Sequence, residues 1–273
     1  MTDRPEVADH YGTHYRDFGS DVYAQVRQAA FGEDLGQNSW LTLAQLERFV
    51  AHLDVRAGDR LLDVACGSGG PAVRVASLTG CDVVGVDLYR DAVTNERRSD
   101  DADKPLARFL QADASKPLPF VDASFDAVVC IDAINHLPDR LRVLGDWARV
   151  LRPGGRLVFT DPVSITGALD SAEIATRTSI GYFLFVPAEE NRRLIDAAGF
   201  DLLTVEDTTV ELAETARRRG AARDERAAEL RRVEGDAAFE GRQRFFAVVA
   251  GLAAQARLSR HAYVAEKRGQ PRH

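Results

Sequence analysis

Between Asp59 and Val163, apolar runs of strand length alternate with helical patterns, and this alternation leaves few folds open. The runs read RLLDVAC, DVVGVDL, ARFLQAD, FDAVVCID and GRLVFTD. Strands joined through helices pair in parallel, so the pattern specifies βαβ units and an α/β fold with helices on both faces of a mostly parallel sheet. Acids punctuate the runs. Asp63 stands just before the first turn, and Asp87, Asp113, Asp132 and Asp161 stand at or near the ends of the other four. Ligands of an open parallel sheet bind outside the carboxyl ends of its strands, so this row of acids marks the rim of a site. Helix N-caps and loop polar groups are the competing reading, with Asp161 and Asp132 as its candidates.

The flanks are helical. TLAQLERFVAHL places Leu43, Leu46, Phe49, Val50 and Leu53 at helical spacing, which predicts a helix packed on the sheet before the first strand. PAEENRRLIDAAGF carries Pro187 and two acids at its start and Gly199 at its stop, a helix that leads to a strand around Asp201 to Thr209. From Val210 to Ala256 the chain is rich in Ala, Arg and Glu and reads as helices. Its basic runs ARRRG and LRRVE sit among acids of similar number and are expected to be solvated helix surface. SRHAYVAEK alternates as a last strand. No internal repeat or low-complexity linker divides the chain.

A formal net charge of -7 disfavours a phosphate backbone as the main partner, since nucleic-acid binding depends on clustered Lys and Arg. A small molecule is the expected partner, with no nucleic acid and no membrane, and a homodimer is the assembly held open. Cys66, Cys81 and Cys130 lie in or beside apolar runs, as buried free thiols of a reducing compartment do. The N-terminus lacks an apolar signal core, so the expected location is cytoplasmic.

The turn after the first strand, LLDVACGSGGPAVRVA, also fits the dinucleotide fingerprint as Gly67-x-Gly69-x-x-Ala72. Asp87, twenty residues after Gly67, suits the ribose hydroxyls of any adenosine-bearing ligand and does not discriminate. Asp63 does. A carboxylate four residues before the first glycine opposes a pyrophosphate and suits the sulfonium and ammonium of S-adenosylmethionine. An NAD-dependent oxidoreductase is the remote alternative.

LLDVACGSGG, followed by VVGVDL, QADASKPLPFVDASFDAVVCIDAINHL and VLRPGGRLVFTDP, resembles the class I S-adenosylmethionine-dependent methyltransferases. The similarity is strongest to small-molecule members such as the sarcosine/dimethylglycine and phosphoethanolamine N-methyltransferases and natural-product enzymes. The resemblance runs from about Tyr11 to Lys267. It implies a Rossmann-like seven-stranded sheet with an antiparallel last strand, S-adenosyl-L-methionine as cofactor and S-adenosyl-L-homocysteine as product. It implies one methyltransferase domain over residues 1–273: an N-terminal helical lid (1–56), a cofactor-binding core (57–209), a helical insertion (210–257) and the last strand (258–267). Gly67 and Gly69 would lie under the methionine portion and Asp63 near its ammonium. Asp87 would bind the ribose with Leu88 beside the adenine, while Asp113 and Ala114 would meet the adenine amino edge. Ala65, Ile131, Gln37 and Ser39 would complete the cofactor site.

Methyl transfer is an in-line displacement at an activated carbon, so alignment and exclusion of water dominate and few side chains need react. His136, in CIDAINHLPD, is the candidate general base, with capping or packing of a helix near Pro138 as the competing role. Tyr15 is expected over the sulfonium, in a lid built from the aromatic N-terminal segment. Tyr11, Asn38, Asp132, Tyr182 and Phe183 are the expected substrate contacts. No metal is expected. The Asn-Pro-Pro-aromatic motif of adenine and glutamine methylating enzymes is missing after the fourth strand, and no cysteine trio suits arsenite. A methyltransferase fold that binds the cofactor without methyl transfer, as a cyclase or interaction module, is the second reading.

Overall fold

The structure is a computed structural model that describes residue 15, residues 18–90, residue 92 and residues 107–269. Tyr11, and all of the expected lid before Phe18 except Tyr15, lie outside the described residues.

Five strands carry the runs read from sequence: β1 (Arg60–Val64), β2 (Asp82–Asp87), β3 (Ala107–Gln111), β4 (Phe125–Cys130) and β5 (Leu151–Ile165). A two-residue β6 (Val186–Pro187) pairs with β5, and β7 (Phe200–Asp207) and β8 (Leu258–Lys267) complete an eight-stranded sheet. The order is β3-β2-β1-β4-β5-β8-β7. β8 runs antiparallel to both of its neighbours, and the described pairs among β1 to β6 are parallel. Seven strands form the path, as the resemblance implies, and β6 is an addition. The fifth strand starts earlier than the sequence indicated: Leu151 pairs with Phe125, and the register then slips across Arg152 to Gly155 before Arg156 pairs with Ala127.

Both faces of the sheet are covered. On one side α1 (Asp21–Phe31) precedes α2 (Leu43–Leu53), which a Thr42/Gln45 capping box starts and whose Leu46, Phe49 and Leu53 pack with α3 (Gly70–Thr79) against β1 and β2. The other face is covered by α4 (Arg140–Val150) and α6 (Ala188–Ala197), where Trp147 and Leu144 pack with Phe159 and Tyr263 of the sheet. Leu61, Leu62 and Val64 are buried on alternate faces of β1, as a central parallel strand requires. All three cysteines are free and buried.

A short α5 (Ser171–Arg177) follows β5, and three helices stand between β7 and β8: α7 (Thr209–Asp224), α8 (Ala227–Glu234) and α9 (Asp236–Ala254). They pack on α1 through Val22, Tyr23 and Val26 against Ala222, Leu230 and Phe239, and so roof the carboxyl ends of the strands. Among the described residues, no helix is long and apolar enough to cross a membrane.

Candidate active site

The strand order reverses at β1, which has β2 on one side and β4 on the other, and this opens a crevice at their carboxyl ends. A cavity of about 690 Å³ fills it and continues up into the helical cap. The turn after β1 forms its floor. Ala65, Gly67 and Gly69 all have positive φ, near 57°, 57° and 76°. A Cβ at Gly67 would also stand 2.9 Å from the Tyr15 hydroxyl, which would have to shift. Gly67→Ala is therefore expected to lower stability by about 1–2 kcal/mol and to push Tyr15 off the turn, read as a drop in melting temperature with weaker ligand binding. Gly69 differs from its expected place. It is the N-cap of α3 and does not face the cavity, and its missing side chain makes room for the Phe109 ring, 2.5 Å from a built Cβ.

The acids differ sharply in environment. Asp87 accepts the Gly67 N–H at 2.9 Å and the Tyr89 N–H at 3.0 Å, so it braces the glycine turn. Burial raises its carboxyl above the usual range, and these backbone donors only partly offset that. Asp113 accepts from the Ser115 N–H and hydroxyl and lies 3.5 Å from Lys116. Those partners outweigh its partial burial and hold it below the usual range. Asp63 is buried and receives no hydrogen bond among the described residues; burial, reinforced by Asp87, pushes it up to about 8. A lone buried carboxylate beside a glycine turn is a seat for a cation. The chemistry of the lining therefore fits the ammonium of S-adenosylmethionine and opposes a pyrophosphate.

Asp132 lines the cavity, yet its side chain is spent inside the protein. One oxygen accepts from Arg260 Nε and Thr160 Oγ1, both at 2.7 Å, and the other from the Trp40 N–H at 2.9 Å and Arg260 Nη2 at 3.1 Å. An expected substrate contact thus serves as a fastener between β4, β8 and the segment before α2. Asp161 is off the cavity, paired with Arg140 and Asn191. That fastened segment passes over the floor. Gln37 accepts the Leu35 N–H and donates to the Leu41 carbonyl, Ser39 Oγ accepts the Leu41 N–H, and the Ser68 hydroxyl donates to the Gly36 carbonyl. Gln37, Asn38 and Ser39 line the cavity, as do Leu88, Ala114 and Ile131.

His136 ends a 3₁₀ turn (Ile134–His136), with α4 starting only at Arg140 behind an Asp139 cap. Its Nδ1 pairs with the Tyr182 carbonyl at 2.7 Å. A carbonyl only accepts, so Nδ1 carries the proton, and Nε2 is left as an acceptor 3.2 Å from Asn135 Nδ2. Burial, with Arg177 nearby, brings the imidazole down to about 4, so it is neutral over the whole physiological range. The Phe183 ring stands edge-on at 4.6 Å, while Tyr182 is half exposed at the cavity mouth. Tyr15 is buried, packed at 5.8 Å on Phe18 and 6.0 Å on Tyr89.

The roof contains residues that the sequence did not single out. Arg177, Arg219, Arg223 and Arg242 line the cavity alongside Trp40, Phe245 and Phe246. Arg219 belongs to the ARRRG run, expected to be solvated; Arg217 and Arg218 are indeed exposed, but Arg219 turns inward over the Trp40 and Phe246 rings at 5.2 and 4.8 Å. Among the described residues, no cluster of three or more His, Cys, Asp or Glu could hold a metal ion.

Comparison with known proteins gives the family and the fold. A family model described as a methyltransferase domain matches residues 62–159. A 27-O-demethylrifamycin SV methyltransferase from Amycolatopsis mediterranei is 34% identical over 207 residues, covering 70% of this chain and 75% of the relative. Two solved structures share the fold. One is the cyclopropane synthase MmaA2 from Mycobacterium tuberculosis, with TM-score 0.82 and 19% identity over 98% of this chain and 100% of the other. The second is a phosphoethanolamine N-methyltransferase 2 from Haemonchus contortus in complex with S-adenosyl-L-methionine, with TM-score 0.80 and 21% identity over 97% of this chain and 61% of the other. With a fold, a cation-seeking carboxylate at the glycine turn and a relative that all point the same way, the chain belongs to the class I S-adenosylmethionine-dependent methyltransferases that act on small molecules.

Proposed function

We propose that the strand-end half of the cavity holds S-adenosylmethionine and the cap half holds the acceptor, with the methyl group delivered to a heteroatom, oxygen being the better fit. The observation that carries this reading is Asp63, a buried acid that receives no hydrogen bond among the described residues, at the turn proposed to meet the methionine portion. Asp87 offers its remaining lone pairs to the ribose hydroxyls while keeping the turn in shape. Asp113, Ala114 and Leu88 form the adenine end of the lining, and Ala65, Gly67, Ile131, Gln37 and Ser39 close around the rest. Tyr15, over Gly67, stands where the sulfonium would lie, and Asn38, Tyr182 and Phe183 border the acceptor.

A hydroxyl acceptor must lose a proton as the methyl arrives, and His136 Nε2 is an unprotonated acceptor already oriented by the Tyr182 carbonyl. An amine acceptor can lose its proton to solvent and needs no such group. The relative that methylates a demethylrifamycin at oxygen supports the same choice. The 27-O position itself is a property of that protein.

His136→Ala is expected to lower turnover by ~10²-fold with cofactor affinity unchanged. Because the imidazole titrates near 4, kcat at saturating cofactor should stay level from about pH 5 to pH 8; an acid limb near 6.5 would show an unperturbed imidazole. The sign for stability follows. A depressed histidine stabilises the fold fully above ~6.5 and less as the pH falls toward 4. The reading as a whole is tested by an acceptor screen for S-adenosylhomocysteine release. Tight cofactor binding with no product from any hydroxyl or amine would favour a fold that binds the cofactor without methyl transfer.

A further inference from the structure

The cavity is electrically two-ended. Among its described lining residues, the acids Asp63, Asp87, Asp113 and Asp132 come from the strand ends, and Arg219, Arg223 and Arg242 come from the cap helices, with Arg27 of α1 and Arg177 of α5 also in the lining. Arg223 and Arg242 share one carboxylate, Glu234. Arg223 Nη2 donates to Glu234 Oε1, and Arg242 Nη1 donates to Glu234 Oε2 at 2.5 Å. The Tyr23 hydroxyl donates to that same Oε2 at 2.6 Å. The three side chains are only 4%, 11% and 4% exposed for Arg223, Arg242 and Glu234. Among the described residues, no other carboxylate lies within ion-pair distance of either guanidinium.

Within this cluster two buried cations and one anion leave a surplus of one positive charge, and Arg177 and Arg219 line the same cavity. Burial also pulls the Arg223 guanidinium below its usual range, the neighbouring Arg242 adding to that against the pull of Glu234. The donors are not exhausted either. Arg223 spends Nε on Gln243 and Nη2 on Glu234, which leaves Nη1 without an acceptor among the described residues. Arg242 spends only Nη1, and its Nε is buried without a hydrogen bond. A desolvated charge of this kind is costly unless a counter-ion completes it.

We propose that the Arg223–Arg242 end of the cavity is an anion subsite, and that the methyl acceptor carries a singly charged oxyanion, ordinarily a carboxylate, on an apolar body seated against Trp40, Phe245 and Phe246. One charge matches the surplus of one on the Arg223–Glu234–Arg242 cluster, and a second charge at that place would meet Glu234 at close range. The arrangement also separates the ligands by sign, since the cationic cofactor is drawn to the aspartates of the floor and the anionic acceptor to the arginines of the roof. This substrate class rests on the methyltransferase reading above, and the site itself does not depend on the cofactor.

A matched pair of probes tests it. 8-Anilinonaphthalene-1-sulfonate carries one negative charge on an aromatic body, and N-phenyl-1-naphthylamine is the same body without the sulfonate. Titrated by fluorescence into protein saturated with S-adenosylhomocysteine, the sulfonate should bind about tenfold more tightly than the neutral probe, the size of one charge-assisted hydrogen bond. Arg223→Gln should remove that preference while the neutral probe binds as before. Breaking a buried cluster can unfold a protein, so Glu234→Gln, equal in shape, supplies a second reading of opposite sign. It frees both guanidiniums and should tighten the sulfonate several-fold without moving the neutral probe. Equal affinities for the two probes, or a Glu234→Gln variant with an unchanged ratio, would overturn the subsite. If S-adenosylhomocysteine fails to saturate, the cofactor reading falls, and the same titrations on the unliganded protein decide the subsite separately.

Discussion

Asp63→Asn is expected to make the unliganded protein more stable and, at the same time, to weaken S-adenosylhomocysteine binding by ~10- to 100-fold. Both effects come from one carboxyl group. In the folded protein Asp63 holds its proton up to about 8, whereas the unfolded chain gives it up near the ordinary aspartate value of 3.8. The folded state therefore binds the extra proton, and its stability declines as the pH rises from ~4 through ~8. Asparagine removes that dependence. At pH 7 the gain should be roughly 2–4 kcal/mol, or ~5–10 °C in melting temperature, and it should vanish near pH 4. Binding carries the matching signature. The wild type should release close to one proton per ligand at pH 7, as the ammonium displaces the Asp63 proton, and its affinity should improve from pH 6 to pH 8.5. Calorimetry in buffers of different ionisation enthalpy reads the proton directly, and an Asp63→Asn variant that releases it equally would place the cation elsewhere.

Arg260→Met should lower stability by about 3–5 kcal/mol, because it leaves the Asp132 carboxylate buried beside a neutral side chain. Arg260 is wholly buried and reaches Asp132 of the turn after β4, Gln45 of α2 and Thr208 at the start of the cap. Through Asp132 it also holds the Trp40 backbone, and with it the 37–40 segment that closes the cofactor floor. The loss should therefore appear twice: a melting temperature lower by about 10 °C, and weakened cofactor binding even where the variant remains folded. A variant within about 1 kcal/mol of the wild type would mean that the pair contributes little, and the floor segment would need another anchor.

The sheet was legible because its central strands β1, β4 and β5 are buried and so read as apolar runs between turns. The acids of its rim were legible for a related reason, since each falls at a strand end. What those acids do was only half legible. Asp63 and Asp132 occupy similar places in the pattern, yet among the described residues one has no hydrogen-bond partner and the other has four donors, and the difference lies in Arg260, 128 residues further along the chain. The roof was the least legible part. An arginine stacked over aromatic rings and an arginine in water produce the same helical spacing, so Arg219 and Arg223 could not be told from exposed Arg217 and Arg218 without the fold. The faint signal was Phe245-Phe246 and Trp40, large rings with no place in the periodicity of the sheet.

The position of β8 has a bearing on how the chain reaches its native state. Among the described strands β7 pairs only with β8, and β8 in turn inserts between β7 and β5. During synthesis β3, β2, β1 and β4 have their described partners before α7 emerges, while β5 and β7 each wait with an open edge for β8 across three intervening helices. Long-range pairing of this kind is slow, and an open edge is exposed to the wrong neighbour meanwhile. Folding should therefore be biphasic, with the cofactor floor structured early and the acceptor chamber shut in a single late event when β8 slides home.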